Sequence, residues 1–135
     1  AKAAESRLRT AQGMGDLKTV DLVIEAVNEN FGLKTKIFKE LDEICKPEAI
    51  LASNTSSISI TKLAAQTRNP PRVVGMHFMN PVPVMKLVEL IRGLQTSEDT
   101  FRAASDVAKR MGKTLVEAQD IPGFAVNRIL MPMIN

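Results

Sequence analysis

Residues 72–91 read RVVGMHFMNPVPVMKLVELI and decide the fold, because two apolar runs flank a short loop that contains two prolines. A link this short joins only antiparallel neighbours, so the two runs are predicted to form a hairpin. Folding about Pro83 brings His77 opposite Glu89, since each lies six residues from that turn. Histidine has the side-chain pKa nearest neutrality, and a carboxylate beside it completes a general acid–base pair. The hairpin therefore predicts a candidate catalytic pair.

Outside the hairpin, strand-like and helix-like segments alternate along the chain. Short, nearly continuous apolar runs suit buried strands, and apolar residues at helical spacing suit helices. The predicted strands are 21–27, 49–53, 72–77, 84–91 and 113–118, and the predicted helices are 30–45, 59–66, 97–111 and 125 onward. Because most strands are separated by helices, we predict βαβ units and an α/β fold with a mostly parallel sheet and one antiparallel strand.

Two of the predicted helices carry an apolar stripe that should face the sheet. The first stripe comprises Leu33, Ile37, Leu41 and Ile44, widened by Phe38 and Cys45, and the second comprises Phe101, Ala104, Ala108 and Met111. Ser97 provides a hydroxyl cap for the second of these helices, and Gly112 is predicted to end it.

The composition is that of an ordinary globular domain: 135 residues, 44% hydrophobic and 24% charged. The net charge is only +3, without a Lys/Arg-rich run and without Trp or Tyr to stack on bases, so no nucleic-acid partner is expected. No apolar stretch approaches the roughly 18 residues of a membrane-spanning helix, so no membrane partner is expected. A single cysteine, Cys45, and the lack of a signal-peptide pattern suit the reducing cytoplasm.

Both ends of the chain read as cut. The sequence starts at Ala1 without Met, with residues typical of the tail of a helix. It stops at Asn135 within an apolar periodic run that has no C-cap glycine. We therefore expect the chain to be a piece of a longer protein.

Polar residues follow the predicted strands, where open α/β sheets bind their ligands. They are Asn28, Glu29 and Asn30 after the first strand; Ser53, Asn54, Thr55, Ser56 and Ser57 after the second; His77 and Asn80 after the third; and Asp120 and Asn127 after the fifth. We predict that these residues line a polar site along one edge of the sheet.

Each of these features also has a structural interpretation. The Asn-Thr-Ser-Ser segment at 54–57 could form only a turn and helix cap, and a lone histidine at a strand end could be structural. Glu89 is harder to explain in this way, because an ionised carboxylate in a buried run needs a partner. His77 and Lys86 are the near candidates, but strand alternation points Lys86 to the other face. The Gly13-Met14-Gly15 segment lacks the third glycine of a dinucleotide-binding loop and is interpreted as a surface loop.

Four segments together resemble one known family. They are DLVIEA at 21–26, ILASNTSS at 50–57, GMHFMNPVPVMKLVE at 75–89 and PGFAVNRIL at 122–130. In register from Asp21 to the last residue, the chain resembles the L-3-hydroxyacyl-CoA dehydrogenase family, and most of all its short-chain bacterial members. The His-Phe-Met-Asn-Pro stretch is the signature of that family.

The resemblance implies a domain organisation. It implies a Rossmann-type NAD-binding domain followed by an all-helical domain through which the protein forms a homodimer. Residues 1–135 would be the later part of the first domain. The glycine-rich loop and the acidic residue that hold the adenosine half of NAD would precede Ala1, and the helical domain would follow Asn135.

The resemblance also implies a reaction, a cofactor and a set of residues. The reaction is the reversible oxidation of L-3-hydroxyacyl-CoA to 3-ketoacyl-CoA with NAD, and 3-hydroxybutyryl-CoA is the expected acyl-CoA substrate. His77 would be the base and Glu89 its orienting partner. Ser56 and Asn127 would position the substrate. The implied cofactor contacts are Glu29, Lys34, Ser56 and Asn80, and no metal is implied.

Two other functions stay open on the sequence alone. A dehydrogenase of the same fold could act on a polyol or a sugar acid, because the residues that line the acyl pocket lie largely outside this chain. A non-catalytic structural or CoA-binding homologue could also keep the fold. The non-catalytic role is disfavoured by the joint presence of four residues: His77, Glu89, Ser56 and Asn127. A site without catalytic function has no physical reason to keep a buried carboxylate.

Overall fold

The computed structural model describes residues 6–120, which form one five-stranded sheet with helices packed on both faces. The strands are β1 (Leu22–Glu25), β2 (Ile50–Ser53), β3 (Val73–Phe78), β4 (Leu87–Arg92) and β5 (Thr114–Gln119). The α-helices are α1 (Phe31–Ile44), α2 (Ile60–Ala64) and α3 (Glu98–Arg110), and short 3₁₀ turns cover Met14–Leu17 and Pro70–Arg72. The helix predicted from residue 125 onward lies outside the described residues.

The strands follow one another across the sheet in chain order, β1-β2-β3-β4-β5. The first three strands are parallel, β4 is antiparallel to β3, and β5 is parallel to β4. The predicted α/β fold, with a mostly parallel sheet and one antiparallel pair, is therefore confirmed. The register of the hairpin is confirmed as well, because His77 and Glu89 are direct partners across β3 and β4.

Side-chain caps define where the helices begin. The side chain of Asn30 accepts from Leu33 N at 3.0 Å at the start of α1, and Ser59 and Ser97 cap α2 and α3 in the same way. Gly112 follows α3 with a φ of +78°, a left-handed conformation that favours glycine. These local signals explain why the predicted helix boundaries agree with the structure to within a few residues.

The buried face of α1 differs from the predicted stripe. The buried residues of the helix are Lys34, Phe38 and Leu41, with Cys45 buried at its C-cap. Leu33, which the stripe placed in the core, is 40% exposed. The prediction was wrong here because a lysine occupies a core position, and an apolar pattern assigns a charged side chain to the solvent face.

Two further details also differ. Met111, predicted at the end of the α3 stripe, is 47% exposed. β4 begins at Leu87 rather than at Val84, because the hairpin loop closes on itself. The backbone N–H groups of Val84 and Met85 both donate to the carbonyl oxygen of Pro81, which removes them from the sheet.

The sheet presents different chemistry on its two faces. On the side of α3, alternating residues of β3 and β4 form an apolar cluster that includes Val74, Met76, Val88 and Leu90. On the side of α1 and α2, the alternating residues include His77 and Glu89. Gly75 lets α2 approach closely here, since an added Cβ would lie 2.7 Å from Cβ of Ile91 and 3.0 Å from the side chain of Ile60. Within residues 6–120, no helix has the length and apolar character needed to cross a membrane.

Candidate active site

His77 and Glu89 form a cross-strand pair near the carboxyl end of β3. Nδ1 of His77 lies 3.4 Å from Oε1 of Glu89, and the glutamate is buried, whereas the histidine side chain is 16% exposed. If Glu89 is ionised, its carboxylate only accepts hydrogen bonds, and the proton of this contact then lies on Nδ1. The pair thus has the form of a base that a second group orients, with one side of the ring reaching the surface.

The turn after β2 is tied to both neighbouring strands through Asn54. The backbone N–H of Phe78, the residue after His77, donates to Oδ1 of Asn54 at 2.7 Å. The backbone N–H of Asn54 in turn donates to the carbonyl oxygen of Glu25 at 2.8 Å. These two bonds bring the segment that contains Ser56 to the same edge of the sheet as His77 and Glu89.

Glu29 holds that turn from the other side. Its Oε2 accepts from Thr55 Oγ1 at 2.8 Å and from Ser57 Oγ at 2.9 Å, and it also accepts from Ser56, through N at 3.2 Å and Oγ at 3.3 Å. Thr55 Oγ1 also accepts from Ile58 N at 2.9 Å, which is a side-chain-closed turn. The hydroxyl-rich segment is therefore both the turn that its sequence predicted and a structured edge of the candidate site.

The charge of Glu29 is strongly favoured by this setting. Burial acts to raise its pKa, but hydrogen bonds from Thr55, Ser57 and Ser56 and the positive charge of Lys34 outweigh burial and lower the pKa from 4.5 to about 2. Glu29 is consequently ionised throughout the neutral range.

We expect the ionised Glu29 to contribute to the stability of the fold, and this contribution to be lost at acid pH. A carboxyl whose pKa is lowered in the folded state stabilises the fold above its ordinary pKa of 4.5, and that contribution is lost as the pH falls from 4.5 towards 2. The Glu29→Gln variant should therefore lose less of its Tm over this interval than the wild type. Thermal unfolding followed by circular dichroism at stepped pH measures the difference. Parallel Tm curves for the two proteins would contradict it.

Lys34 lies beneath Glu29 and is fully buried. Its Nζ donates to Oε2 of Glu25 at 2.6 Å and to the carbonyl oxygen of Val27 at 3.1 Å, and it lies 3.3 Å from Oε1 of Glu29. The structure thus brings three of the predicted residues into direct contact, namely Glu29, Lys34 and Ser56. The Nζ of Lys34 contacts oxygen atoms of Glu25, Val27 and Glu29.

The remaining predicted residues are distributed differently. Asn80 is exposed in the hairpin loop, beyond the end of β3. Asn127 lies outside the described residues. The prediction that Asp120 joins the polar edge was wrong, because β5 runs opposite to β1, β2 and β3 and ends at the other edge of the sheet. Asp120 instead accepts from Ser59 Oγ at 2.7 Å and from the first N–H groups of α2.

The sequence analysis missed Glu25 as a residue of this site. Glu25 is the last residue of β1, and its buried side chain contacts Lys34 and Ser53. The available signal was a pair of pattern violations of opposite charge: a carboxylate at the end of an apolar strand and a lysine on the apolar face of the next helix. Two such groups can be buried at low cost only if they meet.

The described residues form an α/β sheet that carries polar and ionisable side chains beyond its strand ends, where ligands of this fold class bind. The domain family described as "3-hydroxyacyl-CoA dehydrogenase, NAD binding domain" matches residues 1–121. The chain belongs to this family.

Individual relatives agree with the family. The chain is 57% identical over 134 residues to a probable 3-hydroxybutyryl-CoA dehydrogenase of Bacillus subtilis, covering 99% of this chain and 47% of that protein. It is 50% identical over 127 residues to a fatty acid oxidation complex subunit alpha of Psychrobacter, covering 94% of this chain and 18% of that protein. The crystal structure of (S)-3-hydroxybutyryl-CoA dehydrogenase from Ralstonia eutropha has a TM-score of 0.95 and 55% identity, covering 99% of this chain and 47% of that one. The chain spans about half the length of the 3-hydroxybutyryl-CoA dehydrogenases that it matches.

NAD is the cofactor of this family, and the sheet edge offers groups that suit it. Glu29 presents an ionised carboxylate that is 39% exposed and can accept from a sugar hydroxyl. Ser56 and Asn80 add a hydroxyl and an exposed amide at the ends of β2 and β3. Ligands of open α/β sheets bind at strand ends of this kind, so the residues present fit a bound dinucleotide.

Proposed function

We propose that the complete protein containing this chain reversibly oxidises L-3-hydroxyacyl-CoA to 3-ketoacyl-CoA with NAD, and that 3-hydroxybutyryl-CoA is its substrate. The observation that carries the proposal is the buried Glu89 carboxylate beside Nδ1 of His77. Oxidation of an alcohol needs a base near neutral pH, and an oriented histidine is the side chain suited to that task. The names of the relatives supply the substrate class.

The chemistry divides between cofactor and protein. Bound NAD would supply the acceptor for the hydride that leaves C3 of the substrate. His77 takes the proton of the 3-hydroxyl through Nε2, because Nδ1 is engaged by Glu89. Glu89 fixes the ring orientation and offsets the charge of the imidazolium that forms. The hydroxyl of Ser56 and the side chain of Asn127 position the substrate oxygen. Three further residues bind the cofactor: Glu29, Asn80 and Lys34.

We propose that residues 1–135 are the later part of a Rossmann-type domain, completed by a glycine-rich βαβ part and followed by a helical dimerisation domain. Among residues 6–120, β1 has a strand neighbour on one side only. Leu22, Ile24 and Ile50 on the α3 side of β1 and β2 are only partly buried. Further strands beside β1 and a covering helix would bury them, which supports this organisation.

The cellular setting follows from the same proposal. The complete protein would act as a homodimer in the cytoplasm, in the oxidation of fatty acids, as the name of the Psychrobacter relative suggests for that protein. Its partner would be acyl-CoA rather than nucleic acid or a membrane.

A substrate panel tests the proposed reaction. With NAD, the complete protein should form NADH from 3-hydroxybutyryl-CoA with a kcat/KM roughly 100-fold or more above that for gulonate or a simple polyol. The reverse reaction with acetoacetyl-CoA should consume NADH. A preference for gulonate would assign the protein to a sugar-acid dehydrogenase instead. No NADH formation from any hydroxyacyl-CoA would favour a non-catalytic role.

A further inference from the structure

Glu25 lies at the centre of a buried hydrogen-bond network at the carboxyl end of β1. Its Oε1 accepts from Ser53 Oγ at 2.6 Å, and its Oε2 accepts from Lys34 Nζ at 2.6 Å and from Val27 N at 2.7 Å. Glu25, Lys34 and Ser53 are all buried. The carboxylate therefore joins the ends of β1 and β2 to the first turn of α1.

The network continues outward through Lys34 to the surface of the site. The ammonium of Lys34 has three N–H donors, and three protein oxygens surround it: those of Glu25, Val27 and Glu29. The Oε1 of Glu29 faces Lys34 at 3.3 Å, while its Oε2 holds the turn of Ser56. A continuous path of hydrogen bonds and one ion pair thus links Glu25 to the turn that contains Ser56.

We propose that Glu25 is a positioning residue: it fixes Lys34, and through Lys34 it holds Glu29 and the Ser56 turn in the geometry that receives NAD. The proposal rests on the proposed function. It adds to the cofactor role of Lys34 a second role within the protein, through hydrogen bonds to Glu25 and Val27 and an ion pair with Glu29.

The location of this ion pair favours a positioning role over a purely structural one. Well-packed apolar side chains fill such a position at lower cost than a buried ion pair, whose desolvation offsets much of the Coulombic attraction. Glu25 and Lys34 are buried at the strand edge where ligands of this fold bind, and their path ends on the turn that presents Ser56. Small shifts in a positioning group can change ligand binding and catalysis strongly.

The test compares the Glu25→Gln variant of the complete protein with the wild type. Glutamine has one acceptor oxygen where glutamate has two, so the donors of Ser53, Lys34 and Val27 can no longer all be satisfied. We expect NADH affinity, measured by fluorescence titration, to fall roughly 10–100-fold. The KM for NAD should rise more than kcat falls. Amide hydrogen exchange of peptides that cover 54–58 should become faster in the absence of any cofactor.

Asp42→Asn is the matched control. Asp42 and Arg72 form a second buried ion pair, with Nη2 of Arg72 2.6 Å from Oδ1 of Asp42, at the start of β3 rather than at its carboxyl end. Breaking this pair should lower the Tm and leave NADH affinity within about twofold of the wild type. The comparison separates a loss of positioning from a general loss of stability.

Ser53→Ala is a milder variant that keeps the ion pair and removes one hydrogen bond to Glu25. It should weaken NADH binding in the same direction by a few-fold, and it decides the question if Glu25→Gln does not fold. Wild-type NADH affinity and exchange in Ser53→Ala, or in a folded Glu25→Gln, would overturn the proposal. So would an equal loss of affinity in Asp42→Asn. A wild-type protein that binds NADH but oxidises no hydroxyacyl-CoA would refute the proposed function alone, since affinity and exchange would still report on Glu25.

Discussion

Replacing His77 by Gln in the complete protein is expected to lower kcat by roughly 10²–10⁴-fold, the usual contribution of a positioned general base. The affinity for NADH should stay close to that of the wild type, because the cofactor contacts implied for this family lie at Glu29, Lys34, Ser56 and Asn80. The loss should appear in kcat and kcat/KM together, since the base acts on the reacting proton.

The structure makes Gln a suitable replacement. The amide of Gln can donate to the buried Glu89 carboxylate, which lies 3.4 Å from Nδ1 of His77, so the carboxylate keeps a partner. A change to Ala would leave that carboxylate without this donor. It would lower the stability of the fold as well as the rate, so the two effects could not be separated. The Tm of His77→Gln therefore checks that the fold is intact before the rates are compared.

Two measurements decide the assignment of His77. Initial rates of NADH formation from 3-hydroxybutyryl-CoA give kcat and KM, and fluorescence titration gives the affinity for NADH. A variant with the wild-type rate would refute the role of His77 as the base. A variant that lost NADH affinity as strongly as rate would move His77 from proton transfer to cofactor binding.

Most of the fold prediction rests on local signals in the sequence, such as short apolar runs and helix caps. The two short apolar runs around Pro83 allow only an antiparallel hairpin, and the equal distances of His77 and Glu89 from Pro83 set the register that pairs them. The caps of the helices, such as Asn30 and Ser97, are read from residues next to each other in the chain. Predictions that depend on near neighbours therefore agree with the structure.

The errors concern interactions between distant segments. Lys34 is buried because Glu25, nine residues earlier, supplies a carboxylate at the end of another element. Asp120 reaches Ser59 across 61 positions because β5 follows the direction of β4, which the hairpin had already reversed. Neither contact has a local signature. The first could have been inferred from two opposite charges in apolar patterns, and the second from following strand direction through the hairpin.

The second large effect is expected for Glu89→Gln, which should lower kcat on the order of 10²-fold with a smaller change in KM. Glu89 is fully buried and its Oε1 lies 3.4 Å from Nδ1 of His77, so we expect it to act through the ring of that histidine. A neutral amide can present a donor to Nδ1, which would favour the wrong tautomer, and it cannot offset the imidazolium charge formed during oxidation. The variant is therefore predicted to bind both ligands and to turn them over slowly.

Glu117→Gln is the matched control, because it makes the same chemical change on the neighbouring strand β5. Glu117 is half exposed and lies 3.2 Å from Nε of Arg92, so its pairing is a surface contact that contributes little. Its kcat should stay within about twofold of the wild type. If Glu89→Gln matched this control in kcat and in its pH–rate profile, Glu89 would be a structural residue rather than the orienting partner of His77. A loss confined to Glu89→Gln, with normal NADH affinity, would instead indicate that the carboxylate acts through the histidine, because Oε1 of Glu89 lies 3.4 Å from Nδ1 of the His77 ring.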